Sequence, residues 1–429
     1  RRGGKKGSHK IKSREQLIGL FEELEKLSND NKLPKGMSLE ALKLKLIRQL
    51  EKHYDTSNMS EQEKFILQSE KIGLKKSLVF MFNDSDFVDT LHRGARSLGE
   101  GGQKKVFKVQ DLQKVLDSEL NKPLEERDQR LIDNLGKFIE AQGDLKEGLV
   151  ISFMNYTMLD EKESEEDIKQ FFARSIKIGK FSMGLDQENI IKTEKMIFSP
   201  GGTRKLSLIT EFCEKGDIDN LMTVKNEKGE DTGERKPLPL KLRLNILLGS
   251  LKGLDYLHKR NFIHRDMKLQ NVLLNKKNVP KIIDFDLGRE PGELTEVEEK
   301  EGTEIYKAPE LVYGKDGKKI ASPQSDIYAV GIMGLYMEQG TIPGDCKFLS
   351  MTTKGLRRVR KDYDLKAWSD DIDSFLESTP KGPLSPENKL ILLQKEMLCP
   401  DKNNRPDTSY GIKVVQEIIK DLGNVKDKA

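Results

Sequence analysis

The sequence predicts an α+β chain: an α-helical N-terminal extension, then a β-rich lobe, then an α-helical lobe. Three observations lead there. Short apolar runs suited to buried strands, Leu149–Met154 and Leu206–Phe212, cluster before residue 213. A long amphipathic pattern over Leu238–Leu257 opens a second half in which strand signals are few. The 429 residues are 35% hydrophobic and 34% charged, enough apolar material for a core under a very polar surface. At about 100–200 residues per domain, that length makes two to four domain-sized units. Such a composition excludes a collagenous, mucin-like or wholly disordered chain.

Taken in order, Arg1 to Arg14 holds seven Lys or Arg and no acid, a solvated basic tail or a weak contact to an anionic surface. The first residue is not Met, so the chain is expected to lack its natural start, and no targeting signal is judged from this end. Residues 14 to about 72 read as helices: Leu17, Ile18, Phe21, Leu24 and Leu27 form one stripe, and Leu39, Leu42, Leu46 and Leu50 a second. Residues 1–87 are thus expected as tail and helical extension, which either packs on the following domain or binds a partner. From residue 88 the pattern changes. The Gly-rich stretch from Leu98 to Val109 reads as strand, tight turn, strand, and residues 110–147 as a polar, helical insertion. Residues 163–181 carry helical spacing through Ile168, Phe171, Phe172, Ile176 and Ile178.

Charge and cysteines bound the function. With 75 basic and 71 acidic residues, the net charge of +4 gives no electrostatic case for nucleic acid. No run of 18 apolar residues exists, so no membrane span is expected. Three Cys argue against a disulfide framework and for a reducing, cytoplasmic compartment.

The most specific segment is His264-Arg265-Asp266-Met267-Lys268-Leu269-Gln270-Asn271. Asp284-Phe285-Asp286 begins 13 residues after Asn271, and Ala308-Pro309-Glu310 begins 22 after Asp286. This order and spacing resembles the protein kinase family: catalytic loop, metal-binding triplet, end of the activation segment. Gly302-Thr303 with Tyr306, Ser325 to Gly331, and Arg405-Pro406 extend the likeness over residues 90–425. The resemblance implies the bilobal kinase fold, with residues 88–213 as the first lobe, 214–425 as the second, and ATP and Mg²⁺ held between them.

It also implies roles. Asp266 would accept the proton of a substrate hydroxyl, and Lys268 would offset charge on the transferring phosphoryl group. Asn271 and Asp284 would supply hard oxygen ligands to Mg²⁺. A Lys two residues after the catalytic Asp is similar to serine/threonine kinases. Nucleotide contacts are implied for Leu98, Gly99, Gly101, Gly102, Lys104, Val106, Val150 and Leu273. Thr210 resembles a small gatekeeper, with backbone groups of Glu211 and Cys213 on the adenine and Asp217 on the ribose. Glu310, Arg405 and Asp326 take structural places, Arg405 pairing with Glu310. Arg265, Thr295 and Thr303 take regulatory ones. Thr295 is the only hydroxyl between Asp286 and Thr303, in a segment rich in Glu, which favours basic protein substrates.

Three departures matter. The third Gly of the flap is Lys104, and the strand that usually carries a phosphate-gripping Lys has Ser152 in that place. Either phosphate grip is lost and the domain is a scaffold, or Lys104 substitutes, as in the with-no-lysine kinases. Period-two alternation points Lys104 into the same cleft as Val106, and Lys108 shares that face further from the turn. The helix Glu that would pair with this Lys is not placed, Glu165 and Glu166 lying too early. The triplet ends in Asp286 rather than Gly, with Gly288 two residues on. A kinase-fold transferase of another group is the remaining alternative. A single Trp, abundant Lys and the odd flap suit a divergent kinase, such as a bacterial effector acting in a host cytosol.

Overall fold

Residues 149–154, a nearly unbroken apolar run, and residues 205–211 build the middle of a six-stranded sheet in the computed structural model. The structure describes residues 79–81, 99–101, 104–129, 131–133, 135–136, 149–154, 178–179, 181–199, 205–289, 303–314, 319–340, 349–351 and 357–426. The expected tail and helices of residues 1–72 therefore lie outside the described residues. So do Leu98, Gly102, Glu165, Glu166, Thr295 and the acidic stretch after Arg289, and most of the helix expected over 163–181.

The chain divides into two units. The first contains the described residues up to Met183 together with Thr193–Glu211. Its strands are β1 (Val79–Met81), β2 (Gly99–Gly101), β3 (Lys104–Lys108), β4 (Leu149–Met154), β5 (Thr193–Ser199) and β6 (Lys205–Glu211). They are ordered β1-β5-β6-β4-β3-β2. All pairings are antiparallel except β1 with β5, where Val79 pairs with Met196 and Met81 with Phe198. The sheet thus starts before residue 88. Helix α1 (Val109–Leu120) begins at Val109, where the sequence suggested strand. Leu116 on α1 is buried, as are Leu131 and Leu135 in the helical residues that follow, so the insertion carries apolar material of its own.

The second unit, Gly184–Lys192 and Phe212 onward, is helical. Short α2 (Ile218–Met222) precedes α3 (Leu240–His258), which begins after Pro239 rather than at Leu238, because the proline ring presets the turn into the helix. Leu244, Leu247, Leu251, Leu254 and Leu257 of α3 are each at most 1% exposed and form the centre of this core. Helices α4 (Pro309–Val312), α5 (Pro323–Gln339), α6 (Leu365–Ser378), α7 (Pro386–Met397) and α8 (Thr408–Lys426) follow, with α5 and α8 against α3. Ser322 and Ser325 form a reciprocal capping box that starts α5. Gly340, at φ 72°, ends it where a Cβ would lie 2.1 Å from the Arg235 carbonyl oxygen.

Three small hairpins complete the unit: β7 (Thr223–Lys225) with β8 (Asp231–Arg235), β9 (Val272–Leu274) with β10 (Pro280–Ile282), and β11 (Leu349–Met351) with β12 (Arg357–Val359). Among the described residues, no helix is long and apolar enough to cross a membrane. Cys213 and Cys399 are buried thiols.

Candidate active site

The loop His264–Asn271 leaves α3 through a tight turn at Asn261, whose φ is 57°. Ile263 then exchanges two 3.0 Å backbone bonds with Arg289, which lays the loop beside the Asp284–Asp286 triplet. Ile283 N–H donates to the Asn271 carbonyl at 3.0 Å and closes the other end. The two motifs that the sequence separates are therefore one assembly.

At its centre, Asp266 is 9% exposed, and its Oδ2 accepts from Lys268 Nζ at 2.6 Å and from Asn271 Nδ2 at 3.0 Å. Asn271 Nδ2 also donates to the Asp266 carbonyl oxygen at 2.8 Å. The amide NH₂ is thereby committed, and Oδ1 is the Asn271 atom left to meet a cation. Lys268 Nζ reaches Thr303 Oγ1 at 3.3 Å, so one ammonium ties the His264–Asn271 loop to the segment before Ala308. A small recess is lined by Arg265, Asp266, Met267, Thr303, Tyr306 and Asp326. Burial pushes the Tyr306 phenol up, aided by neighbouring Tyr336.

The loop is held from beneath by α5. Asp326, 1% exposed, accepts the His264 N–H on Oδ2 and the Arg265 N–H on Oδ1, both at 2.9 Å. His258 Nε2 meets Oδ2 at 2.8 Å. His264 Nε2 faces the Ile283 carbonyl at 2.9 Å and so must donate, while its Nδ1 accepts the Asp266 N–H at 3.3 Å. That pair of contacts specifies the neutral Nε2–H tautomer. His258 was missed in the sequence; a His in the last turn of a helix six residues before His264 was the available signal.

Asp284 sits at φ 66°, and Asp286 is not among the described residues with positive φ. The special backbone thus belongs to the first acid of the triplet. Gly288 has a packing reason: a Cβ there would lie 2.0 Å from Phe262 Cζ. The Phe262 and Phe285 rings meet edge-on at 6.1 Å, and His264 stands edge-on to Phe285 at 5.6 Å. The donor set suits Mg²⁺, for Asn271 Oδ1 and the Asp284 carboxylate are hard oxygens that leave positions for phosphate oxygens and water. Among the described residues, no group of three or more His, Cys, Asp and Glu could hold a metal alone.

Glu310 and Arg405 form a fork. Arg405 Nη1 donates to Oε1 at 2.8 Å and Nη2 to Oε2 at 2.7 Å, and the same guanidinium donates to the carbonyls of Cys399 and Gln324. Ser325 Oγ adds a bond to Glu310 at 3.1 Å.

Of the expected nucleotide residues in the second unit, Cys213 is 3% exposed. Asp217 caps α2, accepting from Asn220 N at 2.8 Å, and bridges Leu273 on β9. Lys215 N–H to Leu274 carbonyl, at 3.1 Å, and Leu274 N–H to Gly216 carbonyl, at 2.9 Å, fasten this segment to β9. In the first unit, Val150 pairs with Thr210 and with Lys108, Val106 pairs with Ser152, and Lys104 pairs with Met154. Directly opposed positions share a face, so positions 104, 106, 108, 150, 152 and 210 lie on one face of the sheet. Val150 is buried there. Gly99 pairs with Val106, and Gly101 with Lys104. A separate open groove of about 430 Å³ beside Pro309, Tyr313, Arg360 and Tyr363 contains none of the expected site residues.

A sequence model described as the protein kinase domain matches residues 156–418, more than half of the chain. The match begins beyond β4, so the Gly-rich segment and Lys104 precede it. The dual serine/threonine and tyrosine protein kinase of Canis lupus familiaris is 32% identical over 188 residues, which are 41% of this chain and 19% of that one. The mitogen-activated protein kinase kinase mkk1 of Cytospora mali is 31% identical over 179 residues, 42% of this chain and 31% of that one. The serine/threonine-protein kinase cst-1 of Caenorhabditis briggsae is 35% identical over 144 residues, 32% of this chain and 26% of that one. The chain spans under half the length of the curated relatives it matches.

Proposed function

The chain belongs to the protein kinase family, and we propose that it transfers the γ-phosphoryl group of ATP to a serine or threonine hydroxyl of a protein substrate. The observation that carries this reading is the buried Asp266 carboxylate, fixed from two sides by Lys268 and Asn271. Phosphoryl transfer needs little covalent help from the protein, and catalysis rests on positioning and charge.

In this reading Asp266 orients the attacking hydroxyl and takes its proton. The Lys268 ammonium offsets charge on the oxygens of the group in flight, while its bond to Thr303 keeps the substrate-facing segment in register. Asn271 and Asp284 would hold Mg²⁺, which would neutralise charge on the nucleotide phosphates. Lys104 takes the phosphate-gripping role that Ser152 leaves open, and Cys213 and Glu211 present backbone groups to the adenine. Substrates basic around the acceptor, with Arg265 and Thr295 as a phosphorylation switch, complete the proposal, along with residence in a reducing cytosol.

The test is mass spectrometry of the chain and of a basic peptide library after incubation with ATP and Mg²⁺, beside Asp266→Asn. The expected result is a gain of one phosphoryl mass in wild type and its loss in the variant. No gain would support a scaffold, and a nucleotide-sized gain would assign the fold to a different transfer.

A further inference from the structure

Between α5 and α6 the chain does not run directly from one helix to the next. It forms the β11–β12 hairpin, with Leu349 opposite Val359, Ser350 opposite Arg358, and Met351 opposite Arg357. The closing pair is buried, Leu349 at 7% and Val359 at 0% exposed. What it packs on is informative. Strand β12 lies against the single turn Glu304–Tyr306 and against α4. From α4's end, the Tyr313 hydroxyl donates to the Val359 carbonyl oxygen.

That turn borders the reacting carboxylate. Thr303 Oγ1 is 3.3 Å from Lys268 Nζ, which itself lies 2.6 Å from Asp266 Oδ2. In the kinase reading, a peptide that presents a hydroxyl to Asp266 lies beside Thr303 and the turn that follows it. A three-residue 3₁₀ turn holds itself poorly. Its own closures are Tyr306 N–H to Thr303 carbonyl at 3.0 Å, Lys307 N–H to Glu304 carbonyl at 3.2 Å and the Lys307 Nζ to Glu304 Oε1 ion pair at 2.8 Å. Its shape depends on its backing.

We propose that the β11–β12 hairpin, keyed by Tyr313, is a positioning element for the protein substrate: it pre-forms the Thr303–Tyr306 turn along which the substrate lies. The proposal rests on the kinase reading above. A turn ordered in advance lowers the entropy cost of binding the peptide and does nothing for the nucleotide. The signature is a change in the KM for peptide that the KM for ATP does not share.

Two variants test it. Tyr313→Phe keeps the ring and removes the donor to Val359; Val359→Ala trims the buried closing pair and leaves Tyr313 intact. Steady-state transfer to one peptide is measured against both substrates, with thermal melting to confirm folding. For Tyr313→Phe the peptide KM should rise about fivefold and the KM for ATP by less than about twofold, the size expected for one neutral hydrogen bond. Val359→Ala should shift the same ratio in the same direction. Two folded, active variants with the ratio unchanged overturn the proposal and leave the kinase reading standing. A wild-type chain that transfers no phosphoryl group overturns the kinase reading and the proposal together.

Discussion

Asp326 Oδ1 accepts the backbone N–H of Arg265 at 2.9 Å, and Arg265 is held at a φ of 69°. A non-glycine residue in that region costs about 1–3 kcal/mol and persists only where its surroundings over-determine it. The same carboxylate accepts from His264 N and meets His258, so a single buried acid fixes the backbone at the entry of the His264–Asn271 loop. Bonds to an ionised group contribute about 1.5–3 kcal/mol each, enough to outweigh the strain.

Asp326→Asn should therefore destabilise the second unit by about 3 kcal/mol at neutral pH, by leaving its donors with a weaker acceptor. The effect should depend on pH with a defined sign. Burial works to raise the Asp326 carboxyl, but the hydrogen bond and charge of His258 and the His264 backbone N–H outweigh it and leave the group below its ordinary value. A depressed carboxyl contributes fully above its unfolded value of about 3.9, and the contribution is lost as pH falls through the folded one. Urea midpoints of both proteins, compared at neutral and acidic pH, should converge only below about pH 4. A gap already closed under mildly acidic conditions would contradict the assignment.

Asp266→Asn keeps the shape of the side chain and removes the proposed proton acceptor. Transfer to a protein hydroxyl should fall by about 10²–10⁴-fold, the range for loss of a general base. Nucleotide affinity should hold, since Asn271 and Asp284 remain. Isothermal titration with a non-hydrolysable ATP analogue separates the two effects.

These predictions divide by how visible their residues are along the chain. His264–Asn271 and Asp284–Asp286 stand out in the sequence because each sets distinctive residue types at short, fixed spacing. Arg405 and Glu310 lie 95 positions apart, and only the family likeness pairs them. The β7–β8 and β11–β12 hairpins leave no signal, since strands of three to five residues are too short for a period-two pattern to register. Val109 is β-branched and reads as strand, yet it starts a helix because Leu116 and its neighbours carry the helical face. The bond from Tyr313 to Val359 depends on the tertiary fold alone.

The Glu310–Arg405 fork makes a stability prediction. The Arg405 side chain has no exposure, and its guanidinium is satisfied by two carboxylate oxygens and neighbouring carbonyls. Removing one member strands a buried charge, so Glu310→Gln should cost about 3 kcal/mol and Arg405→Ala at least as much. In a double-mutant cycle the second change should cost far less than the first. Additive losses would show that the two side chains act independently.

Gly288→Ala would place a methyl 2.0 Å from the Phe262 ring, inside a buried stack that continues through Phe285 to His264. Overpacking of this kind costs about 1–3 kcal/mol. Because the stack reaches the His264–Asn271 loop, transfer should fall along with the melting temperature. A variant of normal stability and activity would mean that the ring moves aside freely.

The lysine question can be decided by moving the charge. Positions 104 and 152 lie on one face of the sheet, since Val106 pairs with Ser152 and Lys104 lies two residues from Val106. If Lys104 grips the nucleotide phosphates, Lys104→Met should lower transfer by about 10²-fold or more, as for loss of one charge-stabilising group. Ser152→Lys in that background supplies an ammonium from the neighbouring strand on the same face, and should restore part of the activity. Radiometric transfer assays on the wild type, the single variant and the double variant are sufficient. Full activity in Lys104→Met would move the role to Lys108, which shares the face and pairs with Val150. Loss without any rescue by Ser152→Lys would show that the flap, and not merely a positive charge on that face, is what the nucleotide requires.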